Sequence, residues 1–551
     1  MITLLRVSKT IIRRLSSNSA EKIESIAGSL YKGQLSTRIL SYPVSDAHTD
    51  VAFAKMNVLH PVASDVRDWS QYYIMENSGL WEKLNSHCKI HDDHSLFLSG
   101  FVGPRPVSLS GQNTPLGEWA HCKSAAQNRR NALTYKEMED DKMLITGIEN
   151  FVLNASKADH FVVWAYDENS DELRAFLVPR DSKGLTIGNE SKLTIVSSLE
   201  GRKVSFHQVE GMFLGEGHDL YRQMISREHR IYQSARVLGK VTKLFNLTLK
   251  HASQKKEFNK PLSEINIIQS KLSRVSGLIY GLQSTLYLVS GLADSEPIDF
   301  ELDSALLQIL AEFISFEVMK ECTSIFGYHG LLKGSQVDEM LNDITFTYFH
   351  SDFSIDVTKV YTSLMGIQGL GREIGDSIKL RRKAREYPME AIKELYNQSK
   401  IAKSRLKKKK TLALSDYVNY QFKDATNDLE DYILDFRFLL DASLLTHGRN
   451  IQLEEEELSR MAEYASELLA IISIISRLNL LSTTPGGYKK DYEKCLGYSY
   501  MRDAFIRLKF LKERLGKESH TNNDKNLRDA GDYILDQSKY PCVHPITKNR
   551  F

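Results

Sequence analysis

The spacing of apolar residues changes once along the chain, and this change limits the possible folds. From residue 142 to about residue 214 apolar residues recur at every second position, as in FVVWAY (161–166) and LRAFLVP (173–179), which are separated by a polar turn. Such alternation is typical of β-strands joined in hairpins. Further strands are expected at KLTIV (192–196) and KVSFHQV (203–209). After Gly217 the period becomes helical, so the sequence predicts a small, largely antiparallel β-domain followed by helices.

Helical periodicity then continues in two groups of stretches. The first group predicts a four-helix bundle, with helices at Tyr221–His251, Ile265–Ala293, Asp299–Phe326 and Val337–Gly366. The second group predicts a further helical domain, with helices at Tyr417–Thr446, Leu453–Leu481, Tyr492–Leu515 and Asn526–Gln537. The apolar run Leu468–Ile475 is far shorter than the roughly 20 residues that span a bilayer, so a buried helix is expected there.

These patterns divide the chain into six regions. Their order predicts a mainly α protein with a small β-domain. The expected regions are a basic leader (1–20), a short helical and loop-rich region (21–135), the β-domain (136–217), the four-helix bundle (218–371), a basic linker (372–415) and a C-terminal helical domain (416–551).

The charge balance argues against a nucleic-acid-binding role. Lys and Arg number 72 and Asp and Glu 70, a formal net charge of +2, so no overall field attracts polyanions. The five cysteines are scattered and odd in number, which is typical of free thiols in a reducing compartment. The spacing of His87, Cys88, His91 and His94 matches no zinc motif, so no metal site is expected.

The first twenty residues, MITLLRVSKTIIRRLSSNSA, have the composition of a mitochondrial transit peptide. They contain four basic residues, several serines and no acid. On a helix their apolar residues gather on one side and the bases on the other. We therefore expect mitochondrial import.

Several segments, in this order, resemble the acyl-CoA dehydrogenase family. KEFNKPLSEINIIQSKLS (256–273) is similar to the family's helix start, where a phenylalanine, here Phe258, packs beside the flavin. ITGIENFVLNASKADHFVVWA (145–165) resembles the family's hairpin, and FLGEGHDLYRQM (213–224) resembles its link from β-domain to bundle. The C-terminal helices and KYPCVHPI (539–546) are similar to those of family member nine, a complex I assembly factor of the long-chain type. The resemblance implies the acyl-CoA dehydrogenase fold with a shortened N-terminal region.

The resemblance also implies a catalytic base, which this chain lacks. The family uses a glutamate that removes the acyl α-proton while the flavin accepts a hydride. The matching stretch reads LNDITFTYFHSDFSIDVTKVY (341–361), and alignment from the left places Ser351 at the base position, whereas alignment from the right places Asp352 there. Asp352 is a weak candidate because its shorter side chain withdraws the carboxylate from a step that depends on geometry. No catalytic residue is therefore expected.

The flavin contacts implied by the resemblance are replaced as well. Phe151 stands where the family has a tryptophan, and Leu153 replaces a hydroxyl that donates to the flavin. Lys255 replaces an arginine and lacks its bidentate fork. The family's glycine-rich motif reads SIFGYHG (324–330), with Tyr328 where the backbone should approach the cofactor. We therefore expect no cofactor, and regard as vestigial the positions Phe151, Leu153, Lys255 and Phe258.

Basic residues concentrate between the two helical groups, in the segment 379–410, where long-chain relatives contact the membrane. This segment includes the run Lys407–Lys410 and few acids. A surface polybasic stretch gains about 1 kcal/mol per base from anionic lipid. Two interpretations stay open, which are peripheral contact with the inner membrane and an ordinary solvated linker.

Taken with the missing residues, the resemblance favours a non-catalytic scaffold for complex I assembly on the matrix side of the inner membrane. Its implied partners are a second copy in a homodimer and complex I assembly factors, including an ECSIT-like protein. The alternative is a divergent FAD-dependent acyl-CoA dehydrogenase of fatty-acid β-oxidation that uses Asp352. A third hypothesis is a pseudoenzyme that still senses acyl-CoA, with Arg230 at the position of a bundle arginine of the family.

Overall fold

The structure is a computed structural model, and it forms two units that are each assembled from separate parts of the chain. The first unit comprises residues 1–25, 42–358 and 491–500, and the second comprises 26–41, 359–490 and 501–551. The described residues are 26–35, 98–102, 133–138, 142–153, 155–156, 160–168, 172–191, 201–216, 227–294, 299–349, 355–396, 411–483, 489–518, 521–538, 540–542 and 545–546.

The first unit begins with a seven-stranded sheet. Its strands are β1 (Leu98–Val102), β2 (Thr134–Glu137), β3 (Met143–Leu153), β4 (His160–Asp167), β5 (Leu173–Pro179), β6 (Leu185–Ser191) and β7 (Gly201–Glu216). The strand order is β1-β4-β2-β3-β7-β5, and β5 also pairs with β4, so the sheet closes on itself. The pairs of β4 with β1 and β2 are parallel, and the others are antiparallel.

Alternate residues of these strands fill the interior of the closed sheet. Phe161, Val163 and Ala165 on β4 pack with Phe176 and Val178 on β5 in one buried cluster. Such a period of two is what the sequence predicted, because successive side chains of a strand point to opposite faces. The prediction of a small, largely antiparallel β-domain is therefore confirmed.

Two details of the β-domain differ from the sequence analysis. The sheet includes β1, which lies in the region expected to be helical and loop-rich. β1 pairs with the first part of β4, whereas β2 pairs only with the last part of β4. The sixth strand is Leu185–Ser191, whereas the expected strand at 192–196 lies outside the described residues.

Helices make up the rest of the first unit. They are α2 (Arg227–Gln254), α3 (Asn266–Asp294), α4 (Glu301–Phe326) and α5 (Gln336–Phe349), with a short hairpin of β8 (Lys256–Glu257) and β9 (Lys260–Pro261) between α2 and α3. The first half of a later helix, α9 (Lys489–Arg514), joins them through its residues 491–500. Gly281 on α3 makes this possible, because a Cβ there would lie only 2.7 Å from a ring carbon of Tyr500.

The second unit is helical in its described residues. Its main helices are α6 (Ile355–Arg382), α7 (Lys423–His447), α8 (Glu455–Thr483), the second half of α9, and α10 (Asp524–Gln537). Within the described part of the chain, α8 is the one helix long and apolar enough to cross a membrane by length and composition, but 72% of its most apolar window is buried. All of Leu468–Ile475 is buried, which confirms the expected buried helix.

A short N-terminal helix, α1 (Ile26–Tyr31), is part of the core of this second unit. The Tyr31 ring is fully buried and makes an edge contact with Phe436 of α7, with centroids 5.2 Å apart. Its hydroxyl lies 3.3 Å from Ser363 Oγ of α6, and Ser363 donates to the carbonyl of Leu458 at 2.6 Å. Burial raises the pKa of Tyr31, and the hydrogen bond with Ser363 partly offsets this rise.

The boundaries around α6 correct the sequence analysis. The expected helix Val337–Gly366 is two helices, α5 and α6, and the expected bundle end at residue 371 falls inside α6. Helix α6 belongs almost entirely to the second unit because its Gly366 receives the Tyr31 ring. The expected linker 372–415 therefore begins in a helix, and its residues 388–396 are helical too.

Replacing Gly366 with alanine should destabilise the second unit. A Cβ there would lie 2.5 Å from two ring carbons of Tyr31, and overpacking of this kind costs about 1–3 kcal/mol. Gly369→Ala is the matched control in the same helix, since nothing lies within 4 Å of its Cβ position, and it should stabilise by about 0.5–1 kcal/mol. Denaturant unfolding measures both. Equal effects of the two variants would show that Tyr31 does not occupy this position.

Candidate functional site

The candidate site lies in the first unit, at the end of the bundle where α2, α3 and α4 meet. The hairpin β8–β9 follows α2 directly, and its strands pair Lys256 with Pro261 and Glu257 with Lys260. A buried apolar cluster of Ala252, Leu262 and Ile325 lies beneath it. This cluster joins three elements, so the hairpin and the turn after α4 are held at the same end of the unit.

The hairpin turn presents Phe258 to the outside. Phe258 and Asn259 both have positive φ, 52° and 60°. Two-residue hairpin turns need this conformation because it matches the twist of the strands, but a bulky residue adopts it at a cost. The Phe258 side chain is 92% exposed, so no described residue of the chain covers the ring. A ring at a strained turn and without a cover is available to contact another molecule.

Lys255 connects α2 with this hairpin. Its N–H donates to the His251 carbonyl and its own carbonyl accepts from Leu262 N–H, both at 2.9 Å. Its ammonium Nζ lies 3.6 Å from Glu257 Oε1. Because the pair is solvent-exposed, its contribution to stability is small. The pair does place a carboxylate beside the cation that the sequence resemblance puts at a diphosphate-binding position.

The turn after α4, Gly327–Leu331, contributes an aromatic cluster. The His251 ring lies 4.8 Å from the Phe326 ring and 5.5 Å from the His329 ring, between centroids. Burial lowers the pKa of His251, and the nearby His329 and Lys255 lower it further. His329 Nε2 is buried and has no hydrogen-bond partner among the described residues. Sequence analysis missed both histidines, because His251 stands in no recognisable motif and His329 is not one of the motif positions, within 324–330, that the resemblance singles out.

A polar contact fixes α3 against α4 at this end. Glu321 of α4 lies 3.3 Å from Lys271 Nζ and 3.7 Å from an Arg274 nitrogen, and Lys271 also donates to Ser324 Oγ at 2.6 Å. Arg230, at the start of α2, is buried and donates to the Glu301 carbonyl at 3.4 Å. This contact gives Arg230 a structural role in joining α2 to α4.

The remaining positions expected from the sequence are only partly described. Phe151 and Leu153 lie at the end of β3, where the backbone of Leu153 pairs with Gly201 of β7. Ser351 and Asp352 lie outside the described residues, between the end of α5 at Phe349 and the start of α6 at Ile355. The cysteine and histidine cluster at 87–94 is outside them too, and no group of three metal-ligating side chains occurs in the described part of the chain.

The residue types at this site differ from those that the resemblance implies for a flavin dinucleotide. Leucine at position 153 offers no side-chain donor, and the Lys255 ammonium is paired with the Glu257 carboxylate. The turn after α4 leaves open space at Gly327, and the next residue, Tyr328, is exposed. Among the described residues, this end of the unit therefore presents the turn, the paired Lys255 and the exposed Phe258 ring.

Comparison with solved structures defines the fold. An acyl-CoA dehydrogenase from Bacillus anthracis complexed with FAD matches with a TM-score of 0.64 at 14% identity, over 95% of this chain and 97% of that one. The Caenorhabditis elegans protein ACDH-11 in complex with C11-CoA matches with a TM-score of 0.53 at 13% identity, over 74% of this chain and 66% of that one. The chain thus has the acyl-CoA dehydrogenase fold, as the sequence resemblance implied.

Two domain families match parts of the chain. Residues 215–350 match "Acyl-CoA dehydrogenase, C-terminal domain", and residues 420–540 match "ACAD9/ACADV, C-terminal domain". The mitochondrial very long-chain specific acyl-CoA dehydrogenases of Bos taurus and Mus musculus are 25% and 27% identical, and each match covers 66% of this chain. The chain spans 57% of the length of these relatives. These two parts of the chain are therefore similar to domains of acyl-CoA dehydrogenases, and the longer matches are to proteins of the very long-chain type.

The exposed, strained turn leads to a stability prediction. At a dilution that leaves the chain monomeric, Phe258→Gly should stabilise the protein by about 1 kcal/mol, because glycine adopts positive φ without the cost that a bulky residue incurs. Asn259→Gly is the matched control and should change stability less, since asparagine tolerates this conformation. Denaturant unfolding of both variants measures the difference. A destabilised Phe258→Gly protein would mean that the ring is packed against something in the folded protein.

Proposed function

We propose that this protein is a non-catalytic, acyl-CoA dehydrogenase-like scaffold for the assembly of respiratory complex I. Its place would be the matrix side of the inner mitochondrial membrane. The observation that carries this proposal is the retention of the family's fold together with the loss of its glutamate base, since the matching segment 341–361 offers only Ser351 or Asp352. A dehydrogenase needs a carboxylate positioned at the α-proton, whereas a scaffold needs only the surfaces of the fold.

The flavin positions support the same proposal. Proton removal by a base is useless without an acceptor for the hydride, so loss of the flavin contacts removes the second half of the reaction. Leu153 replaces a residue with a hydroxyl donor, and the Lys255 Nζ atom forms an ion pair with Glu257 Oε1 at 3.6 Å. Both the base and the flavin contacts that the reaction needs are thus altered. The proposed scaffold binds no FAD.

The similar proteins support the proposed setting. Those of the very long-chain type are named as mitochondrial, and the composition of residues 1–20 is that of a transit peptide. The match of residues 420–540 to the ACAD9/ACADV C-terminal domain supports a long-chain type of architecture with the additional helical domain. The proposed partners beyond a second copy are complex I assembly factors, including an ECSIT-like protein.

Exposed apolar side chains at the candidate site support a homodimer. Besides Phe258, this end of the first unit exposes Ile267 on α3 and Tyr328, Leu331 and Leu332 after α4. Several exposed apolar side chains at one end of a unit are typical of a surface that contacts another protein. A second copy that covers it would remove the Phe258 ring from water, which gives the strained turn a reason to persist.

The proposed membrane contact rests on fewer free charges than the sequence suggested. Arg381 is largely buried and pairs with both carboxylate oxygens of Asp441, and Arg382 donates to the carbonyls of Leu445 and Thr446. These two arginines therefore hold α6 against α7 and are not available to lipid. The other basic residues of the segment follow these two in the sequence, from Lys383 to the run Lys407–Lys410.

An exposed apolar stripe adds to this charge. In the helical residues 388–396, the side chains of Met389, Ile392 and Leu395 recur at every third position and are 76%, 63% and 55% exposed. Exposed apolar side chains on one side of a helix are typical of segments that lie in the membrane interface, and the charge of this helix itself is not basic, because it carries Glu390, Lys393 and Glu394. The proposed contact is therefore apolar as well as electrostatic.

The two parts of this contact can be separated by mutation. Replacing Lys407–Lys410 with glutamine should weaken binding to anionic vesicles by up to about 4 kcal/mol, and 1 M salt should mimic this change by screening. Replacing Met389 and Ile392 with serine should abolish the binding that survives salt. Vesicle flotation measures both. The matched control replaces four exposed lysines of the second unit, Lys423, Lys509, Lys517 and Lys525. If it weakens binding equally, the segment 379–410 is a solvated linker.

The second candidate function is a divergent FAD-dependent acyl-CoA dehydrogenase of fatty-acid β-oxidation. It is favoured by the names of the similar proteins, which are dehydrogenases, and by Asp352, a carboxylate next to the expected base position. It requires that the carboxylate reach the α-proton from a side chain one methylene shorter, and that a flavin bind without its usual donors.

A visible absorption spectrum of the purified full-length protein decides between the two functions. The scaffold should be colourless, and it should not oxidise palmitoyl-CoA in the presence of an electron acceptor. Cells that lack the protein should regain assembled complex I equally with wild type, Asp352→Ala and the matched control Ser351→Ala. A flavin spectrum at near-stoichiometric occupancy, with activity that Asp352→Ala abolishes and Ser351→Ala keeps, would instead establish the dehydrogenase.

A further inference from the structure

Helix α10 (Asp524–Gln537) is attached to the second unit with almost no buried surface. Among its 14 residues Asp524 alone is buried. The side chains of Leu527, Ile534 and Leu535 are exposed, and a Cβ at Gly531 would have open space around it. Burial of an apolar face is what normally holds a surface helix in place. Helix α10 lacks this kind of attachment over nearly its whole length.

A buried carboxylate holds the first turn of the helix instead. Asp524 accepts hydrogen bonds from two guanidinium nitrogens of Arg460 on α8, one of them at 3.0 Å. A nitrogen of Arg514, the last residue of α9, lies 3.5 Å from the same carboxylate. The backbone N–H of Asp524 donates to Asn522 Oδ1 at 3.1 Å. All of these contacts are made by one residue, so they fix the start of α10 and not its length.

The rest of the helix has one further attachment. Arg528, one turn after Asp524, donates to Glu454 at 2.8 Å and lies 3.7 Å from Glu456. The Arg528 side chain is 39% exposed, and ion pairs in contact with water contribute little to stability. From residue 529 to residue 537 no side chain forms a hydrogen bond or ion pair with another described residue. The docked position of α10 therefore depends mainly on Asp524.

The network beneath Asp524 is complete without it. Arg460 also donates to Glu457 at 3.1 Å. The other oxygen of Glu457 accepts from Ser443 of α7 at 2.6 Å and from Gly516 N–H at 2.7 Å. If Asp524 leaves, Arg460 keeps a carboxylate partner, so no buried charge is stranded at this place. Helices α7 and α8 and the end of α9 stay joined by the same hydrogen bonds.

The length of α10 decides what happens once it is undocked. Isolated helices shorter than about 12–15 residues are only marginally stable in water, because few hydrogen bonds repay the cost of nucleation. Helix α10 has 14 residues. Separated from Arg460, it is expected to exchange rapidly between helical and unfolded conformations.

We propose that α10 is a detachable arm, which opens from the second unit in one local step while α7, α8 and α9 stay folded. Parts of a protein open locally with free energies from near zero up to that of global unfolding, and elements with few buried apolar contacts open most easily. The Arg460–Asp524 contact is the latch of this arm. The proposal concerns the conformation of the chain and applies to a scaffold and to a dehydrogenase alike.

Amide hydrogen exchange of the full-length protein, followed by mass spectrometry, tests the proposal. In wild type, the amides of 524–537 should exchange at least about a hundredfold faster than those of the buried run Leu468–Ile475 in α8. Asp524→Asn should accelerate exchange in 524–537 by at least about a further tenfold, because the charge that Arg460 binds is removed while the side-chain volume stays. Exchange of Leu468–Ile475 and the denaturant midpoint of the whole chain should not change.

Two matched variants separate the latch from other effects on the helix. Asp529→Asn makes the same substitution in α10 at an exposed carboxylate that forms no ion pair with a described residue, and it should leave exchange in 524–537 as in wild type. Leu527→Ser with Ile534→Ser should leave the denaturant midpoint unchanged, since neither side chain is buried against the unit.

Four results would overturn the proposal. The first is exchange in α10 as slow as in α8, and the second is an Asp529→Asn effect as large as that of Asp524→Asn. The third is faster exchange of Leu468–Ile475 in Asp524→Asn together with a lower denaturant midpoint, which would make α10 an integral part of the unit. The fourth is a lower midpoint in the serine variant, which would show that the apolar residues of α10 are covered in the folded protein.

Discussion

Two tyrosine rings pack against helical glycines, in the space that a Cβ atom would occupy on any other residue. These two contacts accompany the division of the chain into two units. Tyr31 lies against Gly366 of α6, and Tyr500 lies against Gly281 of α3. A ring can approach a helix backbone this closely only where the helix residue has no side chain, because interiors are packed to near-solid density. Each contact joins segments far apart in the sequence. Both units are consequently assembled from non-contiguous pieces, and the core of the second unit includes residues close to the N-terminus.

Local periodicity was enough to predict most individual elements. Strands β4 and β5 and helices α7 to α9 lie within a few residues of their expected positions, since each buries one face and leaves a regular trace in the sequence. Helix α10 also lies at its expected position, although most of its side chains are exposed. The interruption between α5 and α6 was not predicted, because apolar spacing continues across it. The assignment of α1 and α6 to one unit was not predictable either, since a glycine that receives a distant ring looks like any other glycine in a helix.

At the candidate site, too, the sequence predicted which residues are present but not what they contact. The sequence identified Phe258, Lys255, Phe151 and Leu153 from a resemblance, and from residue identity alone we expect that flavin donors are missing. It did not predict the positive φ of Phe258, the pairing of Lys255 with Glu257, or the packing of His251 against His329. These properties depend on the hairpin turn and on the meeting of α2 with the turn after α4. A motif supplies chemical groups, and tertiary structure determines what those groups contact.

The network of Glu457, Arg460 and Asp524 illustrates why buried charge matters here although it stabilises little. Removing charges from water costs about as much as their attraction returns, so such a network is weak evidence for stability. It is, however, highly directional: Arg460 meets Asp524 with two nitrogens, and this geometry permits one rotation of α10. The first turn of α10 is fixed in this way, whereas Leu527, Ile534 and Leu535 further along the helix are 56%, 47% and 74% exposed. Directional polar contacts, more than burial of apolar area, therefore attach this helix to the second unit.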